Sequence, residues 1–392
     1  MSANPARVDT LVVATDLPLQ GSSAAQSDST NKLIQLYLDS IGNRVGTHQI
    51  LLRAYDNSTA AKGAWDEKVC AANAAAHVAN TAEVAVVGTF NSGCAKIEVP
   101  ILNADPSGPM LMVSHANTNP GLTKKWESGE PDKYYPTGKR NYARVLATDD
   151  DQGNAAARVA AKKLHVTKCY VLNDQQTYGA GVAAAFTAAA GVEGISIVGQ
   201  ATWKARSGSY TTLFEKIKAT GADCVYLGGI FDNNGGQLIK DKVAVLGDNS
   251  KVKLIAPDGF TGYTDMLALS QSEGMYLTFC GLVSSELADR GSVAANLLNA
   301  YKTKYGTEPS GSYPLYGVAA MQVVLAAIAA SDGTRAGVTE AMFSGDGITI
   351  DGATSALGQS FSIDPATGDK QKELTVELVK NHQETYFESV TL

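Results

Sequence analysis

The stretch VVGTFNSGCAKIEVP, Val86 to Pro100, sets the pattern on which the rest of the chain is built. An apolar, β-branched run stops at Gly88, passes through Thr89, Asn91 and Ser92, and enters a segment whose apolar residues recur at helical spacing. A buried strand that empties directly into a helix is half of a β-α-β unit, and parallel strands need such crossovers. Ser92 then has two readings. Asn91 or Ser92 caps the helix, or the unpaired backbone N–H groups of the first turn, together with the Ser92 hydroxyl, hold a small anion such as a carboxylate.

Outward from this stretch the alternation continues in both directions. Before it come a strand at TLVVAT (Thr10 to Thr15), a helix through Leu33, Ile34, Tyr37 and Ile41, a strand at HQILLRAYD and an Ala-rich helix from Ala60 to Ala79. After it comes the strand PMLMVS, followed by a polar excursion from His115 to Arg144 that is long enough to be functional. The pattern restarts with helices at 154–164, 182–190, 210–220 and 236–246 and strands KCYVLND, GISIVGQA, DCVYLGG and KLIAP. The strand MYLTFCGLV, helices at 293–305 and 313–330 and a hairpin-like tail close the chain. These are two α/β units of similar plan rather than sequence repeats, and right-handed crossovers make their strands parallel.

At 392 residues the chain is too long for one hydrophobic core. Its 44% apolar and 18% charged residues are those of an ordinary globular protein, and a net charge of -7 argues against tracking nucleic-acid phosphates. No apolar run approaches the roughly 20 residues that span a bilayer. The opening MSANPARVDT has no apolar core of a leader, so the chain is either cytoplasmic or exported with its leader removed. Five cysteines occur, Cys70, Cys94, Cys169, Cys224 and Cys280, with no C-x-x-C pair and only scattered His, so neither a zinc cage nor any other metal site is read. Cys70 and Cys94 are two buried thiols or a disulfide, and a disulfide would place the chain outside the cytoplasm.

Ligands of open α/β sheets bind at the carboxyl ends of the strands, so the strand ends carry the candidates. Besides Ser92 they offer Ala116 and Thr118 in VSHANTNPG, where the Ala116 carbonyl suits an ammonium and Thr118 adds a hydroxyl and an N–H. Tyr178 follows one strand of the second unit, Phe231 and Asp232 another, and Asp258 a third. Read plainly, VSHANTNPG is an Asn- and Pro-rich turn, Tyr178 a half-buried aromatic and Asp258 part of a Pro-Asp-Gly turn. GAGVAA (Gly179 to Ala184) imitates a dinucleotide fingerprint, but five residues separate it from Asn173 and the next strand ends in GQATW with no acidic residue for a ribose, so it reads as a helix entry. Asp149, Asp150 and Asp151 read as a solvated run. No catalytic pair and no phosphate loop is visible, which predicts a protein without cofactor or catalysis.

The chain resembles the type I periplasmic binding proteins, in the branched-chain amino acid (Leu/Ile/Val) branch of ABC-transporter solute receptors. The resemblance rests on ATDLPLQG, LRAYDNS, VVGTFNSG, MVSHANTNPGLT, RVLATDDDQG, VLNDQQTYGAG, ADCVYLGG, IAPDG and SYPLYGVAAMQVV in that order. It implies an α/β fold of two Rossmann-like lobes with parallel sheets joined by three crossovers, lobe 1 at 8–146 and 283–349 and lobe 2 at 147–282 and 350–392. It implies Ser92 on a ligand carboxylate, Thr118 on carboxylate and ammonium, the Ala116 carbonyl on the ammonium, Tyr178 over the ligand and Asp258 as ammonium counter-charge. Asp258 stands where amino-acid binders often carry the longer Glu, Phe231 or Ile230 where some relatives place Tyr, and Gln26 where others place an aromatic residue in the first loop. Phe231 and Gln26 thereby join the expected contacts. The resemblance also favours a Cys70–Cys94 disulfide and leaves Cys169, Cys224 and Cys280 unpaired. The expected protein is a monomeric extracellular or periplasmic receptor, anchored or secreted, that closes on an amino acid or similar zwitterion and delivers it to a membrane permease. A ligand-sensing regulatory domain for an amide or small carboxylate is the alternative on the same fold.

Overall fold

Val84, Val86 and their neighbours form a strand because an apolar run flanked by turn residues is stable only when both of its faces are covered. The computed structural model, which describes residues 9–370 and 373–391, makes Glu83–Gly88 a strand with every residue buried. It lies inside a six-stranded sheet ordered Arg44–Val45, His48–Asp56, Thr10–Leu17, Glu83–Gly88, Leu111–Ser114, Tyr142–Arg144. All neighbours are parallel except the two-residue edge strand, which is antiparallel to His48–Asp56. Ala95, Val99 and Leu102 of the helix Ser92–Asn103 pack on Ala14, Val86 and Met112 of this sheet. The helix Tyr313–Ala329, buried along nearly its whole length, packs against Glu83–Gly88, Leu111–Ser114 and the helix Ala24–Ser40.

A seven-stranded sheet runs Ser196–Thr202, Lys168–Asn173, Cys224–Gly228, Lys253–Ala256, Tyr276–Phe279, Leu374–Lys380, Gln383–Val390. Its first five strands are parallel and its last two antiparallel, the latter forming the expected closing hairpin. The period of two is visible in Cys224–Gly228. Val225 and Leu227 face a core with Trp203, Phe214 and Phe260, whereas Cys224 and Tyr226 face one with Phe186 and Val182.

The chain divides into unit 1 (Met1–Asn117, Gly121–Leu146, Ser284–Gln371) and unit 2 (Thr118–Pro120, Ala147–Val283, Lys372–Leu392). The expected lobe limits at residues 8 and 392 lie outside the described residues. Residues 350–370, assigned to lobe 2 from the sequence, belong to unit 1: Thr349–Ile350 pairs antiparallel with Phe361–Ser362, and Asp369 accepts a hydrogen bond from Arg144 Nε at 2.7 Å. Thr118 belongs to unit 2, where its carbonyl accepts from the Asp149 amide at 2.9 Å.

Three local readings are corrected. The helix expected from Ala60 starts at Glu67, because Ser58–Thr59 and Ala64–Trp65 form a small hairpin and Asp66 caps the helix, accepting from the amides of Lys68 (2.9 Å) and Val69 (3.4 Å). Asp149 and Asp151 are buried, not solvated, in the first turn of the helix Asp149–Lys162, where acidic residues complement the helix dipole. Cys169 and Cys224, expected to be unpaired, form a second disulfide alongside Cys70–Cys94, since they oppose each other across adjacent parallel strands with Cα atoms 4.4 Å apart. Cys280 is free and buried.

Candidate functional site

Apart from the two-residue edge strand Arg44–Val45, the first strand of each sheet lies between the second and the third, which makes a topological switch point at their carboxyl ends. In unit 1 the switch falls between Thr10–Leu17 and Glu83–Gly88, whose following loops lead to the helices that begin at Ala24 and Ser92. Gln26 lies buried in the first turn of the former, its carbonyl accepting from Thr30 Oγ1 at 2.8 Å. Asn91, at the cap of the latter, has extended backbone and makes no side-chain cap bond, and its buried Oδ1 has no partner. Ser92 is 2% exposed at the helix start.

That helix start is pinned from behind. A Cβ on Gly93 would lie 2.6 Å from the Trp65 ring, so only glycine lets the indole pack this close. The Cys70–Cys94 bridge, with Cα atoms 5.6 Å apart, ties the same turn to the helix Glu67–Ala79. From the front, Ser114 Oγ donates to the Thr89 carbonyl at 3.0 Å and Asn117 Nδ2 to the Phe90 carbonyl at 3.1 Å. Ser114 Oγ also accepts from the amides of Ala116 (3.1 Å) and Asn117 (2.8 Å), which turns the chain sharply at the end of Leu111–Ser114. Ser92 and Ala116 are thus carried on two loops stitched to each other.

Unit 2 has its own switch point, between Lys168–Asn173 and Cys224–Gly228. Tyr178 OH donates to the Asp258 carboxylate and accepts from the Gly259 amide at 3.0 Å. Gln152, which the sequence did not single out, organises this cluster: its Nε2 donates to Asp258 Oδ1 at 2.9 Å and lies 2.8 Å from Cys280 Sγ, and its Oε1 accepts from the Asp258 amide (2.8 Å) and Thr278 Oγ1 (2.7 Å). Burial pushes the Cys280 thiol pKa well up, so it is a neutral neighbour of these groups. Thr118 Oγ1 is buried without a partner. The Phe231 ring lies in the apolar core against Phe260 and Tyr263, with centroids 6.2 and 5.0 Å away.

A further polar cluster, unread in the sequence, lies beneath the unit 1 switch point. Fully buried His77 pairs through Nε2 with Asp16 Oδ2 at 3.0 Å and through Nδ1 with Glu83. Desolvation opposes its charge, but these two carboxylates outweigh it and raise its pKa to about 9. Glu98 beside Asp16 has its pKa pushed well up, by burial first and then by the Asp16 charge, and stays protonated. Ligand-type atoms of Asp16, His77 and Glu98 lie within 4.8 Å of one another. Both His77 nitrogens are engaged by carboxylates, so the group is an ion-pair cluster.

A sequence model described as "Periplasmic binding protein" matches residues 11–376. The chain belongs to the periplasmic binding protein family. Among curated members of the family it is similar to the Leu/Ile/Val-binding protein BraC3 of Rhizobium johnstonii, 26% identical over 313 residues that cover 79% of this chain and 77% of that one. Among solved structures it shares the fold of the branched-chain amino acid substrate-binding protein LivJ of Streptococcus pneumoniae in complex with isoleucine (TM-score 0.80, 19% identity, 98% and 100% of the two chains). It shares it equally with a solute-binding protein of an ABC transporter from Rhodopseudomonas palustris HaA2 in complex with p-hydroxybenzoic acid (TM-score 0.79, 17% identity, 98% and 97%). The α/β fold expected from the sequence is therefore the type I fold of this family. Family membership implies a periplasmic or extracellular solute-binding protein that works with an ABC transporter, and among the described residues no helix is long and apolar enough to cross a membrane.

Proposed function

We propose that the protein is the solute receptor of an ABC importer, that its ligand is an amino acid or similar small zwitterion, and that it acts as a monomer delivering that ligand to a membrane permease. The observation that carries this reading is the opposite polarity of the two switch points. In unit 1 the switch point ends in a pinned helix N-terminus with Ser92, which suits a carboxylate; in unit 2 it ends in the Asp258 carboxylate held by Tyr178 and Gln152, which suits an ammonium. A zwitterion is the small molecule that uses both. Ser92, Ala116, Thr118, Tyr178 and Asp258 are the proposed contacts, with Gln26 flanking the unit 1 loop and Phe231 supporting the unit 2 loop from the core. Closure then requires the ligand to favour the closed form, since a ligand shifts an equilibrium only by its differential affinity.

Amino acids, primary amides, benzoate and 4-hydroxybenzoate are to be compared by thermal shift. A ligand at about 100 times its Kd stabilises by about 2.7 kcal/mol, so an amino acid is expected to raise Tm clearly. Asp258→Asn is expected to weaken that amino acid at least tenfold and Ser92→Ala severalfold. Stabilisation only by carboxylates that lack an amine refutes the zwitterion reading.

A further inference from the structure

His115 is the first residue after the strand Leu111–Ser114 and is fully buried in unit 1. Neither of its ring nitrogens has a hydrogen-bond partner among the described residues. Desolvation alone lowers its pKa to about 3, so the ring is neutral and carries one N–H donor and one lone-pair acceptor, both unmet. Buried polar atoms almost always find a partner, so each open nitrogen of this ring calls for a group that donates or accepts as the tautomer requires.

The ring is set among aromatics. Its centroid is 6.1 Å from that of Phe90 and 6.3 Å from that of Tyr313, at interplanar angles of 61° and 84°, and the Phe90 and Tyr313 centroids are 5.1 Å apart. Phe90 lies two residues before Ser92, and His115 immediately precedes Ala116. The hydrogen bonds from Ser114 to Thr89 and from Asn117 to Phe90 bind these two loops together through residues that flank His115 in sequence. The orphaned ring is thus part of the same pair of loops that carries Ser92 and Ala116.

We infer that His115, flanked by Phe90 and Tyr313, is a specificity-determining contact that selects a ligand whose side chain bears a neutral donor–acceptor group, a hydroxyl or primary amide, over the apolar isostere. This rests on the reading that the Ser92 loop holds the ligand, and it narrows the ligand class within that reading. A hydroxyl or primary amide accepts from an imidazole N–H and donates to an imidazole lone pair equally well, so it pairs with whichever ring nitrogen it reaches in either tautomer. An isobutyl or isopropyl side chain meets neither need. A site built to hydrogen-bond a ligand discriminates strongly against the analogue lacking that group, because its own buried polar atoms are then left unpaired.

Calorimetric affinities of the full chain for four near-isosteric pairs test the inference: threonine and valine, asparagine and leucine, tyrosine and phenylalanine, 4-hydroxybenzoate and benzoate. The polar member of at least one pair is expected to bind tenfold or more tightly than its apolar counterpart. His115→Phe is expected to bring that ratio to within about threefold of one, while His115→Gln, which keeps a donor and an acceptor, restores part of it. Binding without preference in every pair overturns the inference alone and points to a buried water as the partner of His115. A preference that survives in His115→Phe also overturns it. If no member of any pair binds at millimolar concentration, the functional reading fails and this inference fails with it.

Discussion

Raising the pH from 6.5 to 9.5 should weaken unit 1 through His77, by an amount the structure sets. The folded imidazole, held between Asp16 and Glu83, has a pKa of about 9 against 6.5 for the free side chain. Below pH 6.5 both folded and unfolded chains carry the proton, and the ion pairs contribute fully. Between 6.5 and 9 the unfolded chain has lost its proton while the folded chain keeps it, so the folded state binds more protons and stability falls as pH rises. Above pH 9 the contribution is gone. At roughly 1.4 kcal/mol per pH unit, the interval is worth about 3 kcal/mol, or roughly 6–12 °C in Tm for a domain of this size.

His77→Gln isolates the effect because it has no imidazole proton to release. Removing one partner of a buried ion pair costs about 3–5 kcal/mol, so the variant should be far less stable than the parent at pH 6.5. The gap should then narrow by about 3 kcal/mol by pH 9.5. Scanning calorimetry of both proteins across this range gives the gap, and the proton NMR titration of the His77 ring gives the midpoint independently. A gap that does not change with pH, or a His77 midpoint near 6.5, would refute the reasoning.

Three other outcomes are expected. The unfolded, unreduced chain should show a single reactive thiol, that of Cys280, in a thiol-counting assay, whereas three thiols would return the Cys169–Cys224 pair to the unpaired state expected from sequence. Replacing Cys70 and Cys94 together by Ser opens a link across a sequence separation of 24, which on loop-closure entropy lowers stability in a denaturant titration by about 3.5 kcal/mol. Gly179→Ala should cost about 1–3 kcal/mol by overpacking, since its Cβ would sit 2.5 Å from the Gly228 carbonyl oxygen and 2.1 Å from Asp174 Oδ1; an unchanged denaturation midpoint would show that the helix entry is loose.

The alternation of strands and helices was legible because each strand is an unbroken apolar run and each helix starts beyond a turn signal. His48–Asp56 was readable to the residue for this reason, as was the end of Glu83–Gly88. GAGVAA was likewise readable as a helix entry, and the structure supplies the cause: Gly179 lets the helix Thr177–Val192 rest on the end of Cys224–Gly228. What stayed hidden depends on strand register and on contacts between residues distant in sequence. Cys169 and Cys224 are 55 residues apart and meet only because their strands are neighbours in register. Asp16, His77, Glu83 and Glu98 lie on four different elements, and nothing in the spacing of one acid on each reveals a cluster. Gln152 lies in RVLATDDDQG directly after three Asp, where a neutral amide carries no sequence signal of the bridging it does. The start at Glu67 had a usable signal, since Asp66 directly before an Ala-rich helix is a cap residue.

The hidden features share a purpose that the legible ones do not explain. A β-α-β fold by itself delivers Ser92 and Ala116 to the end of a sheet, but it does not fix the loops that carry them. The Cys70–Cys94 bridge, the Trp65 ring against Gly93, and the ion pairs from His77 to Asp16 and Glu83 all act on the strands and helices that meet at the unit 1 switch point. A buried ion pair adds little net stability over an apolar replacement, so stability alone is a weak reason to keep one there. Its geometry is directional, however, and holds the end of Thr10–Leu17 and the last turn of Glu67–Ala79 in a single arrangement. A loop already held in its binding conformation loses less entropy when a ligand arrives, which raises affinity without any added contact. It follows that loosening this support, by His77→Gln or by opening the Cys70–Cys94 bridge, should weaken ligand binding even though neither group is proposed to touch the ligand. The loss should be close to uniform across ligands, whereas a change at His115 should alter their ranking.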